Sequence, residues 1–123
     1  MTVAEAISIV DKLRPNQYQD TFKIKWLSKL DGLIFKEVFM THADSPIESF
    51  EGYDENSQNT ELLVPYPYDE MYLRWLEAMI DYHNSEDERY NNAIMLFNNA
   101  YEGYKKHYTR THMPLSQGKR FIF

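Results

Sequence analysis

Residues 89–108 read RYNNAIMLFNNAYEGYKKHY, and this stretch decides the fold. Its large residues are Tyr90, Ile94, Phe97, Tyr101, Tyr104 and Tyr108, spaced four, three, four, three and four apart. That is the heptad seam of a long helix, predicted to run from about residue 86 to 110. Asn-Asn occurs at 91–92 and again at 98–99, one heptad later. Asn disfavours helix because its amide competes with the backbone for hydrogen bonds. With Tyr90, Phe97 and Tyr104 at d and Ile94, Tyr101 and Tyr108 at a, Asn91 and Asn98 fall at e, and Asn92 and Asn99 at f. A solvated flank would ordinarily carry Glu, Lys or Arg. A flank meeting an identical copy avoids like charges, and a neutral amide both donates and accepts. Tyr90, Asn91, Asn98 and Tyr101 are therefore the expected subunit-contact residues. Local capping or drift is the alternative for the Asn rows, and a packed core is the alternative for the Tyr seam.

Working outward, three more helices are predicted. Thr2 and Glu5 form a capping box ahead of Val3, Ala6, Ile7, Ile9, Val10 and Leu13, so a helix spans 3–13 and Pro15 breaks it. Asp20 caps a second, over about 21–40, with apolar Phe22, Trp26, Leu27, Leu30, Leu33, Ile34, Val38 and Phe39. Gly32 inside it costs about 1 kcal/mol and calls for a close crossing or a kink. Pro67 suits the first position of a third helix over 67–83, with Asp69 and Glu70 in its first turn. Met71, Tyr72, Trp75, Leu76, Met79, Ile80 and His83 make its apolar stripe, where His83 is expected to be a core or interface residue. Ser85 is the expected N-cap of the fourth helix. Between the second and third helices, residues 41–61 form a loop long enough to be functional or disordered, and Leu62–Val64 is extended. The expected fold class is all-α: a four-helix domain with a long acidic loop between helices two and three and an extended C-terminal tail. Residues 1–114 form the domain and 115–123 the arm.

Composition bounds the function. The chain has 123 residues, no Cys and ten Tyr, and its net charge of −6 is unevenly placed. Residues 41–61 hold six acids and no base, while 103–123 hold five bases and no acid. A nucleic-acid binder would show one large basic face, so this segregation fits head-to-tail contact between copies or a basic tail meeting an acidic partner. No long apolar run or cleavable leader appears, which predicts a soluble protein made without export. His42, His83, His107 and His112 have no His partner at i+3 or i+4, and no E-x-x-H, H-E-x-x-H or Walker pattern occurs. Catalytic, cofactor and metal sites are therefore not expected, nor is enzymatic activity. A helix-turn-helix reading fails for want of a basic recognition face. The tail residues Lys119, Arg120, Phe121, Ile122 and Phe123 either fold back onto the domain or form an arm that fills a partner's groove or adds to its sheet.

Two segments together, LRPNQYQDTFKIKWLSKLDGLIFKEV (13–38) and ELLVPYPYDEMYLRWLEAMIDYHNSEDERYNNAIMLFNNAYEGYKKHYTRTHMP (61–114), resemble head–tail connector proteins. These adaptor or head-completion proteins belong to tailed phages and prophages of Gram-positive bacteria. Relatives frequently carry Gly where this chain has Ser85. The resemblance implies a virion structural protein made in the host cytoplasm. It implies a homo-oligomeric ring, commonly a dodecamer, beneath the portal protein and facing the next neck or tail protein. Such a ring extends the DNA channel without sequence-specific binding, needs no cofactor and touches no membrane. On that expectation Lys119–Phe123 is a portal-docking arm. A small helical regulatory protein binding a phage or host partner is the runner-up.

Overall fold

The computed structural model of the chain describes residues 1–115. Four helices carry the fold: α1 (Val3–Leu13), α2 (Asp20–Ile34), α3 (Met71–His83) and α4 (Asp87–Thr111). No strand occurs among the described residues, so the architecture is all-α. The tail residues Lys119–Phe123 lie outside the described residues.

In α1 the capping box forms: Thr2 Oγ1 accepts from Glu5 N–H at 3.1 Å, and the Glu5 carboxylate accepts from Thr2 N–H at 2.9 Å. Val3, Ala6, Ile7 and Val10 are buried, but Ile9 and Leu13 face outward. α2 buries Ile24, Leu27, Leu30 and Ile34, while Phe22 and Leu33, both expected in the core, are exposed. Its last expected turn, Phe35–Phe39, widens into a π turn closed by Met40 N–H to Phe35 O at 2.9 Å. The extra residue in that turn shifts the register, so Phe35, Val38 and Phe39 all reach the core.

α3 touches each of the other helices, and α4 folds back along it as a hairpin. Trp75 packs on Phe97 at 5.1 Å between ring centroids, and Ala93, Phe97, Tyr101, Tyr104 and Tyr108 are buried. Burial of a large apolar side chain such as Phe97 is worth about 1.5–3 kcal/mol. The seam read from the sequence is therefore real, and its partner is the chain itself.

The turn between α3 and α4 differs from expectation. Ser85 is not an N-cap. It adopts φ +59°, its N–H bonds Tyr82 O at 3.1 Å, and Glu86 N–H bonds Asp81 O at 2.9 Å. That is a Schellman closure of α3, with a left-handed residue that glycine fits best. α3 also starts later than expected. Residues 65–70 form turns, with Tyr68 N–H on Pro65 O at 2.9 Å, and Tyr68 packs against Tyr104 and His107. Holding that ring against α4 bends the chain before α3 begins.

The long connection is fixed at several points. Tyr53 N–H bonds Ser28 Oγ at 3.0 Å, Val3 N–H bonds Thr60 O at 3.0 Å, and Ala43 N–H bonds Met113 O at 2.8 Å. The Phe50 ring lies 3.8 Å from where a Gly32 Cβ would stand, so a loop ring covers Gly32 and no helix crosses there. Gly52 has φ +96°, and a Cβ there would lie 2.8 Å from Ser28 Oγ.

Two substitutions should move stability in opposite directions. Ser85→Gly relieves the left-handed strain and should raise the unfolding free energy by about 0.5–1 kcal/mol. Gly52→Ala should lower it by about 1–3 kcal/mol. Urea denaturation of both variants checks the pair, and a neutral Gly52→Ala would contradict the tight seat on Ser28.

Candidate functional site

Three features could bear function: a buried polar hub, an uncharged outer face on α4, and an aromatic groove at its C-terminal end. The hub is Asp31, which lies on the buried face of α2 with 0% exposure. Tyr72 Oη donates to Asp31 Oδ1 at 2.6 Å, Leu63 N–H donates to Oδ2 at 3.0 Å, and Tyr53 Oη donates to the same oxygen. Val64 N–H in turn donates to Tyr72 Oη at 2.8 Å. One carboxylate thus joins α2, α3, the loop at Tyr53 and the 62–64 segment. Burial pushes the Asp31 carboxyl above its ordinary value of 3.8, outweighing the three donors that pull it down. Burial followed by the charge of Asp31 holds Tyr53 and Tyr72 far above the ordinary phenol value, so both remain donors.

A second polar cluster clamps the end of α1 to α3. Arg14 pairs with Asp81 and, at 3.5 Å, with Glu77; Arg74 reaches Glu77 and Glu70, each at 3.1 Å. Buried Lys23 pairs with Asp11 at 2.6 Å. Among the described residues, no group of three or more His, Cys, Asp or Glu could hold a metal. His42 is held by Val38 O and Thr109 Oγ1, and His112 lies parallel to Tyr108 at 3.8 Å. His83 is exposed rather than in the core, and packs against Trp26 at 5.1 Å and Tyr82 at 5.2 Å.

The outer face of α4 is the most distinctive surface. Residues 90–101 carry no charge. Asn91, Asn92, Asn98 and Asn99 are all exposed, and between the pairs stand Met95, 55% exposed, and Leu96, 47% exposed. Gly103 continues the face with nothing near its missing Cβ. A groove of about 470 Å³ borders it, between Leu13, Leu96, Arg74 and Arg89. The sequence-predicted contact residues therefore separate. Asn91 and Asn98 lie on this face and Tyr90 is half-buried at its edge. Tyr101 is a correction: it is buried in the chain's own core, and its hydroxyl donates to Glu37 Oε1 at 2.7 Å. Burial, then Glu37, keeps that phenol protonated. Of the seam's tyrosines, Tyr101 thus finds its hydroxyl partner within the chain, whereas the buried Tyr108 hydroxyl has none among the described residues.

At the far end of α4, Pro65, Tyr66, Tyr68, Tyr104, His107 and Tyr108 line a groove of about 570 Å³. Sequence reading missed both this groove and the hub. The signal for the hub was present: Asp31 follows Ile24 and Leu27 at helical spacing, an acid placed on an apolar stripe. Nothing local announced the groove, whose walls come from three separate segments.

No described helix is long and apolar enough to cross a membrane. Comparison with protein-family models, curated proteins and solved structures finds no match.

Asp31 should leave a signature in the pH dependence of folding. A raised folded-state value means the native state holds the proton more tightly than the unfolded chain. The stability it contributes is present below 3.8 and is lost as pH rises through the raised value. Unfolding free energies of the wild type and Asp31→Asn, measured by urea titration from acid to neutral pH, should show the wild type losing ground to the variant across that window. A wild-type advantage that grows with pH would mean the carboxyl is depressed instead.

Proposed function

We propose that this chain is a virion structural protein, a head–tail connector that assembles into a ring beneath a portal and extends the DNA channel. It acts by contact and not by catalysis. The observation that carries this reading is the outer face of α4, uncharged over residues 90–101 in a chain of net charge −6, with Met95 and Leu96 exposed between two Asn pairs. An exposed helix with no association to make would ordinarily use the charged residues that favour helix and solubility. The resemblance of residues 13–38 and 61–114 to connector proteins points the same way.

Ring symmetry refines how the face works. In a closed ring each subunit presents one surface to the next subunit's different surface. The Asn rows then meet a second patch, not themselves, and their neutrality avoids an unpaired charge at the junction. Arg89, exposed beside the face and unpaired among the described residues, can reach an acid on the neighbour. The 41–61 loop offers Glu48, Glu51, Asp54 and Glu55, all exposed. Acids of this loop that line the channel would repel DNA phosphates and let the genome slide. The rigid backing comes from α3: α4 spans about 37 Å at 1.5 Å per residue and is buttressed by the core along its inner side.

Asn91→Glu combined with Asn98→Glu puts charge at two points of this face without touching the core. The double variant should keep its helical circular dichroism and lose oligomer mass by light scattering, alone and with the portal protein. Unchanged mass would refute the α4 face as a subunit contact. Negative-stain images of wild type with portal should show rings, and a strictly monomeric wild type on portal would refute the connector reading.

A further inference from the structure

We propose that the aromatic groove at the C-terminal end of α4 is a socket for residues Lys119–Phe123 of a second copy of this chain. The proposal rests on the assembly reading above and assigns a second contact to it.

The groove's chemistry defines its occupant. Its walls are rings: Tyr66, 85% exposed, stands at the rim, and Tyr68, Tyr104, His107 and Tyr108 line the interior. Tyr108 is 5% exposed, and its hydroxyl is the one buried side-chain polar atom without a hydrogen-bond partner among the described residues. Asp44 is also part of the lining, exposed, with no ion pair among the described residues. An orphan hydroxyl, an unpaired carboxylate and a ring-lined trough together call for a cation with several N–H donors followed by apolar bulk. A guanidinium satisfies the carboxylate and the hydroxyl and lies favourably over aromatic faces. Phe side chains fill the remainder by stacking.

The chain carries such a segment. Lys119 and Arg120 are followed directly by Phe121, Ile122 and Phe123, and residues 103–123 contain no acid. The groove's flanking loop has the opposite charge, with six acids and no base over residues 41–61.

Backbone direction argues for a neighbour's segment. Ala43 N–H bonds Met113 O at 2.8 Å, then Leu115 N–H bonds Thr41 O at 2.9 Å. Residues 113–115 therefore run antiparallel to 41–43, with Leu115 beside Thr41 and not beside Asp44. Residues Lys119–Phe123 of one copy seated in the socket of another would make a head-to-tail contact, the kind that closes into rings.

The resemblance to connector proteins sends the same segment to the portal, so the experiment sets the two destinations against each other. The chain has no Cys, and introduced thiols report without background. Full-length Tyr66→Cys and full-length Ile122→Cys are mixed in equal amounts and mildly oxidised. The expected product is a disulfide-linked pair containing one of each, identified by intact mass. Excess synthetic peptide SQGKRFIF should suppress it, and adding Asp44→Asn to the Tyr66→Cys chain should raise the peptide concentration needed for half-suppression about tenfold. Three results would overturn the socket: no mixed pair, a pair that forms only when portal is added, or a double-cysteine chain that closes only on itself. The assembly face fails separately. If the mixed pair forms while Asn91→Glu with Asn98→Glu leaves oligomer mass unchanged, the socket stands and the α4 face does not. If mass falls but no pair forms, the reverse holds.

Discussion

A single buried carboxylate holds the molecule's longest non-helical stretch in place. Asp31 accepts hydrogen bonds from Tyr53 in the loop, from the Leu63 backbone and from Tyr72 on α3, while Tyr72 also receives the Val64 N–H. A buried ionisable group is a poor source of stability, because desolvation offsets much of what its partners return. What it supplies is position. An apolar residue at 31 would bury as readily, but it would let the 53 and 62–64 segments slide over the core. Three donors converging on two oxygens allow one arrangement, and leaving any of them unpaired would cost about 1–3 kcal/mol.

That arrangement sets what the surface can present. With the connection pinned across α2 and the start of α1, α3 is enclosed, and α4 covers the last open side of α3 with its Ala93, Phe97, Tyr101, Tyr104 face. The opposite face of α4 is left to solvent. The Asn pairs, Met95 and Leu96 stand there on a helix that is rigid because its inner half is committed. The same packing brings residues 41–46 and 65–68 against the end of α4, and the aromatic groove exists only because all three meet.

Charge segregation gives these surfaces direction. Acid is concentrated in the pinned connection and base over residues 103–123, while residues 90–101 carry no charge. A surface of this kind favours association in which one copy's region meets a different region of the next. Like-to-like contact would set acid on acid. The proposed ring, and the proposed socket, follow from that asymmetry together with Asp44 and Arg89, neither of which has an ion pair among the described residues.

The four helices and their apolar sets were legible in the sequence because helical periodicity and capping are local: Thr2 with Glu5, the stripe in α3 and the seam in α4 each need only a dozen neighbours. Where local signals competed, the tertiary structure chose. Ser85 reads as a cap, yet it closes α3 in a left-handed turn, since the hairpin must reverse there. Phe22 and Leu33 read as core, yet the buried face of α2 runs through Ile24, Leu27, Leu30 and Ile34 and leaves them outside. Tyr101 reads as a contact residue by its heptad position, and only the approach of Glu37 from a distant element showed that its hydroxyl is already taken. By itself the sequence determined an all-α chain with an uncharged row on its longest helix. Which side of that row faces water, and that Asp31 ties four segments together, depended on contacts between residues tens of positions apart, which no local pattern encodes.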